Sequence, residues 1–268
     1  MSTKIFMIEG VMGVGKSTFI NLIQTLIQEE GVDLSYLSHP IQGNISQSIL
    51  EPLDDWQNLK DSNGKSILSH FYSDMDKYAY TFQNFALVTK MMNMDKIDYS
   101  KKFIFMERSI YSDKIFAENC FANGTLDEIT WKVYNECFNF GEKMMNMSKK
   151  DIHFVYLECD PDISFERLKK RGRLEESNVT KEYHREIHDR HEEWLSSNKN
   201  TIFLDASLPF RDDKESLRIL ARQLFDQILN KKCDHEWEKD LSAPFDDHRK
   251  YFCKKCEIWG NYATTIGF

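Results

Sequence analysis

Gly10-Val11-Met12-Gly13-Val14-Gly15-Lys16-Ser17-Thr18 reads G-x-x-x-x-G-K-S and follows the apolar run Ile5-Phe6-Met7-Ile8. Its glycines let the backbone turn tightly enough to aim successive N–H groups at a triphosphate. Lys16 supplies a point charge for the β- and γ-phosphates, Ser17 offers a hydroxyl to Mg²⁺, and a following helix N-terminus adds its partial positive charge. The context is right on both sides. Lys4–Glu9 has the pattern of a buried strand, and residues 17–30 that of an amphipathic helix with Phe19, Ile20, Leu22, Ile23, Leu26 and Ile27 on one side. Residues 10–18 are therefore expected to bind ATP or a similar triphosphate.

Working outward, residues 34–37, 102–106, 152–157 and 201–204 read as further strands. Between them, 66–94 suggests two aromatic-rich helices. The stretches 110–122, 126–147, 161–170, 180–195 and 213–229 suggest one helix each. Residues 40–46 look like a loop, and Asn123-Gly124 separates two helices. Alternating strands and helices imply an α/β fold, a P-loop-type parallel sheet flanked by helices. Ligands on such sheets sit at the carboxyl ends of strands, which directs attention to 10–17, 107–109 and 160–161.

Composition narrows the classes. A net charge of −8 over 268 residues lacks the basic face of a nucleic-acid binder. No run of apolar residues is long enough for a membrane span and no signal-peptide pattern opens the chain, so no membrane partner and a cytoplasmic location are expected. The six cysteines then read as reduced thiols or metal ligands.

Three further clusters have a shared use in phosphoryl transfer. They are Glu51-Pro52-Leu53-Asp54-Asp55-Trp56, Glu107-Arg108-Ser109, and the basic run Arg167, Lys169, Lys170, Arg171, Arg173 leading into Glu175-Glu176. Such a site needs Mg²⁺, cations that can close over the phosphates, and a group to receive the acceptor's proton. Arg171 and Arg173 suit a lid at about 167–178, Glu51 a general base, and Arg108 the residue that fixes the acceptor end.

With these motifs the chain resembles the deoxynucleoside kinases of the deoxycytidine, deoxyguanosine and insect multisubstrate type. The resemblance covers nearly all of 4–230. It is carried by I-E-G-x-x-G-x-G-K-S-T, E-P-x-x-x-W, F-Q, M-E-R-S-I-Y-S, and R-G-R-L-E-E-S with Tyr183 downstream. It implies ATP-dependent 5′-phosphorylation of a deoxynucleoside, with Glu51 as base and Arg108 beside it. Glu107 would share the Mg²⁺ shell with Ser17, and Arg167, Arg171 and Arg173 would clamp the phosphates. Gln83 would pair with the base edge while Trp56, Phe82 and Phe116 wall the pocket, and Tyr72 and Glu176 would hold the 3′-hydroxyl. The resemblance also implies a homodimer through the helices after E-R-S and around Met91.

The path from Lys16 to Glu51 is longer than the family's, so an alternative alignment puts His39-Pro40 in place of Glu-Pro. Glu51 is preferred because no Trp follows His39 at the required spacing. On the helix carrying Gln83, Ala86 and Lys90 come at the next two turns, and Asp113 follows E-R-S. The family resemblance connects a basic residue and an aspartate at these places with deoxycytidine or deoxypurine acceptors. The chemistry agrees: Asp113 can accept from an exocyclic amine, and a buried aspartate needs a cation such as Lys90 to stay ionised.

Beyond a kinase domain over 1–230, the tail 231–268 carries Cys233, His235, Cys253 and Cys256 as C-x-H and C-x-x-C pairs. That set matches a closed structural Zn²⁺ site in a small metal-stabilised module. A nucleoside monophosphate kinase is the alternative enzyme, disfavoured by Asp54 and Asp55 near Glu51, where a monophosphate would need cations. A silent nucleotide switch with a partner-binding zinc tail is the alternative of a different class.

Overall fold

The structure is a computed structural model that describes residues 3–34 and 41–228, together with the short strands 237–239, 251–253 and 259–260. The main sheet has five strands: β1 (Lys4–Glu9), β2 (Ser46–Ile49), β3 (Phe103–Glu107), β4 (Asp151–Glu158) and β5 (Thr201–Asp205). All pairings are parallel, in the order β2-β3-β1-β4-β5. Strands covered on both faces read as continuous apolar runs rather than alternating, and residues 5–8 of β1 and 103–106 of β3 are such runs. β1 lies between β3 and β4, with Ile8 opposite both Glu107 and Val155. The chain's crossovers diverge on either side of β1, so the loop after it opens at the sheet's switch point.

The helices are α1 (Lys16–Glu29), α2 (Leu53–Asn58), α3 (Ile67–Ser73), α4 (Met75–Met94), α5 (Ile110–Ala122), α6 (Glu128–Met144), α7 (Pro161–Arg171), α8 (Lys181–Ser197) and α9 (Lys214–Ile228). Their ends follow local chemistry. Side chains of Ser66, Asp74, Ser109, Asp127, Asp160 and Thr180 accept from the first-turn N–H groups of α3 to α8 in turn. Pro161 opens α7, and Gly172 at φ +68° ends it.

In the described sheet the second strand is Ser46–Ile49; of the strand expected at 34–37 only Leu34 is described. Residues 35–40, including His39-Pro40, lie outside the described residues. Val32 and Ile41 form an isolated antiparallel bridge, and Ser46 to Ile49 then pair with Phe103 to Met106. The run SQSI carries no hydrophobic signal because this edge strand buries only Ser46 and Ile49. Its place matters, since Glu51 now stands just past the carboxyl end of a sheet strand.

Against the sheet, Ile5, Met7, Ile49, Ile104 and Met106 pack with Met94, Ile97 and Met147. A separate helical core gathers Trp56, Phe71, Phe82, Ala86 and Cys120. The chain divides into two compact units, Met1–Ala221 and Arg222–Phe268. Within the second, β6 (Trp237–Lys239), β7 (Tyr251–Cys253) and β8 (Trp259–Gly260) form an antiparallel sheet in that order. Of the expected zinc ligands, Cys253 falls on β7, while Cys233, His235 and Cys256 lie outside the described residues. Among the described residues no helix is long and apolar enough to cross a membrane.

Candidate active site

The loop between β1 and α1 is held in a conformation that only glycine adopts cheaply. Gly13 has φ +84°, and a Cβ there would lie 2.2 Å from the Ser164 carbonyl oxygen of α7. Gly15 caps α1 at φ +110° with no side-chain partner for the first N–H groups, which leaves them for an anion. Lys16 is buried, and its Nζ donates to the carbonyls of Gly10 (3.1 Å) and Val11 (3.0 Å). Burial, reinforced by Arg108, pushes its pKa down to about 7 against the opposing pull of Glu107 and Glu51. A bound triphosphate would supply a stronger anionic partner. Arg167 braces the same loop, donating to the carbonyls of Ala206 (2.9 Å) and Val14 (3.4 Å). Val11, Met12 and Val14 are buried or nearly so and pack the loop onto the domain, while Thr18 continues α1.

Glu107 links the start of α1 to Glu51. Ser17 Oγ donates to Glu107 Oε1 at 2.7 Å, and the Glu51 N–H points to Glu107 Oε2 at 3.4 Å. A hydroxyl at the start of α1 and a carboxylate at the end of β3 are hard oxygen donors suited to Mg²⁺, which takes its remaining ligands from water and phosphates.

Glu51 Oε1 lies 3.3 Å from Lys90 Nζ and 3.4 Å from Arg108 Nε. Burial pushes its pKa up, but Lys90, Arg108 and Lys16 together outweigh that and hold it below the usual carboxylate value. Lys90 reaches Asp113 as well, at 2.7 Å. Asp113 is more deeply enclosed, and burial pushes its carboxyl up to about 6 despite Lys90. Arg108 adopts φ +61°, a left-handed conformation costing about 1–3 kcal/mol in a non-glycine residue, and its N–H bonds to the Ile8 carbonyl at 3.0 Å.

Gln83, Ala86 and Lys90 occupy one face of α4, all buried. Gln83 Nε2 and Asp113 Oδ2 are buried polar atoms without a hydrogen-bond partner among the described residues. One can donate and the other accept, as the edge of a nucleobase requires. Trp56 is fixed by Nε1 donating to Thr89 Oγ1 at 2.9 Å, and it meets Phe82 edge-on at 5.3 Å. Phe116 falls in a different cluster, beside Met12, Tyr72 and Tyr183, with the Arg108 guanidinium 4.9 Å from its ring centre.

At the lid, Arg171 and Arg173 both pair with Glu176, at 2.5 and 2.7 Å. Burial, and after it the Glu176 charge, pushes the Tyr72 phenol pKa up, so the two expected sugar ligands share one locality. Tyr72 donates from its hydroxyl to Met12 Sδ at 3.3 Å. Gln57 Nε2 ties α2 to the lid by donating to Glu175 Oε1 at 2.8 Å.

Several contributors are residues to which the sequence motifs assign no role. Glu9 accepts the Ser109 N–H at 2.8 Å, Thr89 orients Trp56, and α8 supplies two buried histidines. His184 Nε2 lies 2.8 Å from the Met12 carbonyl, and His191 Nε2 lies 3.2 Å from Arg108 Nη1. One signal existed: His184, Ile187, His191 and Leu195 form a buried stripe at helical spacing within a helix that otherwise reads as charged.

The profile of the family described as "Deoxynucleoside kinase" matches residues 6–230. A probable deoxycytidine kinase of Fowlpox virus is 32% identical over 229 residues, covering 82% of this chain and 86% of that protein. The deoxycytidine kinase of Homo sapiens is 28% identical over 228 residues, with 78% and 86% covered. The mitochondrial deoxyguanosine kinase of Xenopus laevis is 28% identical over 219 residues, with 75% and 77% covered.

Proposed function

The chain belongs to the deoxynucleoside kinase family, and on that premise we propose that it moves the γ-phosphoryl of ATP to the 5′-hydroxyl of deoxycytidine or a deoxypurine nucleoside. It is a phosphotransferase; the monophosphate-kinase and silent-switch alternatives are not favoured. The observation that carries the residue assignment is the continuity from Ser17 through Glu107 to Glu51, which sets a carboxylate beside the donor's metal position and within reach of two cations.

In this reading Glu51, ionised because Lys90 and Arg108 outweigh its burial, accepts the proton of the 5′-hydroxyl. Arg108 holds Glu51 and faces the transferred group, and Lys16 with the first N–H groups of α1 offsets the charge that develops on the phosphoryl oxygens. Mg²⁺ held through Ser17 and Glu107 supplies further neutralisation when bound. Arg171 lies close enough to Lys16 to depress its pKa further, which supports a phosphate-facing lid with Arg173, while Arg167 holds the loop itself. Tyr72 and Glu176 take the 3′-hydroxyl. Gln83 and Asp113 meet the base edge, and the Asp113–Lys90 pair favours an exocyclic amine over the 5-methyl of thymidine.

The experiment is phosphoryl transfer from ATP to each of the four deoxynucleosides and to their monophosphates, with wild type beside Glu51→Gln. Turnover on an amine-bearing deoxynucleoside, lost in the variant, is expected. Turnover on monophosphates alone would overturn the reading.

A homodimer in the cytoplasm completes the proposal. Its support is an exposed apolar set of Ile129, Val133, Phe140 and Met144 on α6 with Val88 and Met92 on α4. Light scattering at micromolar concentration checks it, and a monomer there would remove the dimer. For the tail over 231–268 we retain a structural Zn²⁺ on Cys233, His235, Cys253 and Cys256, on the spacing of the two ligand pairs. Elemental analysis of the purified protein decides it, zinc far below one ion per chain being a refutation.

A further inference from the structure

We propose that His191 is a positioning residue for the phosphoryl-transfer reaction, acting by accepting a hydrogen bond that aims the Arg108 guanidinium. This role depends on Arg108 serving the reaction as described above. His191 is fully buried on α8, 83 residues from Arg108 and itself part of no motif that marks the site. Its Nδ1 lies 2.7 Å from the Ile187 carbonyl one turn earlier, an acceptor that requires the ring proton on Nδ1. Nε2 is then left as a lone pair, 3.2 Å from Arg108 Nη1, a guanidinium nitrogen that can only donate. Burial, followed by the charge of Arg108, drives the ring's pKa well below its usual value and keeps the neutral form that this contact demands.

The guanidinium is thereby held at several points. Nε faces Glu51 at 3.4 Å and Nη1 faces His191. The guanidinium carbon lies 4.9 Å from the ring centre of Phe116, which itself meets His191 edge-on at 6.0 Å. These contacts leave Nη2 to face a substrate oxygen. An arginine whose backbone is in the left-handed region needs such tethers, because its side chain departs from the strand in an unusual direction. A neutral imidazole suits this role better than a carboxylate. It fixes direction without neutralising the charge that Arg108 lends to Glu51 and to the phosphoryl group.

The test compares His191→Leu, which fills the volume without an acceptor, with His191→Gln, whose amide oxygen can reach the place of Nε2. Steady-state kinetics are measured for both, for Arg108→Met and for the double variant Arg108→Met/His191→Leu. His191→Leu is expected to lower kcat by about 10- to 100-fold with the KM for ATP within about twofold, and His191→Gln to recover most of that loss. In the Arg108→Met background the histidine change should add less than about threefold. If the leucine variant does not fold, His191→Asn replaces it, its shorter amide falling short of Nη1.

Full activity in His191→Leu, equal loss in the leucine and glutamine variants, or multiplicative loss in the double variant would each overturn the proposal while leaving Arg108 in place. Full activity in Arg108→Met would instead overturn the reading on which it rests.

Discussion

In the proposed reading, the donor and acceptor halves of this site are built in opposite ways. Phosphate recognition comes from one contiguous segment, residues 10–18, and works through backbone N–H groups, a helix end and a single lysine. Acceptor recognition is assembled from the ends of β2 and β3 and from α4, α5 and α8. It works through side-chain charges that balance one another: Glu51, Lys90, Arg108 and Asp113. A backbone cradle is set by conformation, so it fails all at once when the conformation is blocked. A charge network is set by packing and should fail by degrees.

The first way to break the comparison is Gly13→Ala. Its Cβ would meet the Ser164 carbonyl at 2.2 Å, and φ +84° adds strain, so neither the loop nor α7 can give way cheaply. No ATP binding detectable by calorimetry is expected, with a lower melting temperature. Binding at the wild-type level would show that the cradle is softer than its geometry.

Glu51→Gln comes next. Loss of a general base should lower kcat by about 10³-fold while the Kd for ATP stays within about threefold. That split would sharpen the separation of the two halves. If ATP affinity falls in parallel, the contact from the Glu51 N–H to Glu107 couples the halves directly.

Asp113 supplies a pH signature. With its pKa raised to about 6 by burial, it gains a proton and loses its charge as pH falls through that value, whereas Glu51, held low by its cations, stays ionised. kcat/KM on an amine-bearing deoxynucleoside should therefore fall about tenfold per pH unit below this point, and Asp113→Asn should flatten the limb. The stability sign runs the other way. The folded state keeps the Asp113 proton to higher pH than the unfolded chain does. This group's contribution is thus greatest at acid pH and is lost as pH rises from the ordinary value of 3.8 to about 6. A limb unchanged in Asp113→Asn would assign the titration elsewhere.

The smallest effect is expected for Thr89→Val, which removes the acceptor for Trp56 Nε1 and keeps the shape. A rise in nucleoside KM of about five- to tenfold at constant kcat matches one lost buried hydrogen bond. A kcat change of that size would place Trp56 in the chemistry rather than in binding.

Much of this was legible in the chain alone, and for a definable reason. The strand, glycine loop and helix over 4–30 are local, so residue type and period specify them without reference to the rest of the fold. E-R-S was legible as a motif because it ends a strand, where the backbone leaves the sheet, whereas E-P-x-x-x-W rested on its own spacing and the family resemblance, because the polar strand before it gives no signal. Ala86 and Lys90 followed from helical spacing once the family resemblance had singled out Gln83.

What tertiary structure decided was whatever depends on a partner distant in sequence. β2 is an edge strand of polar sequence that exists because Phe103 to Met106 offers it hydrogen bonds, so hydrophobicity along the chain gives it no signal. Gly13 looked like a requirement of the phosphate, but the backbone of α7 packed against it enforces glycine even without a ligand. His191 carried no motif at all. It became visible only when α8 was laid against Arg108, because a buried imidazole acquires meaning from the donor it faces, and no spacing along the chain encodes that donor.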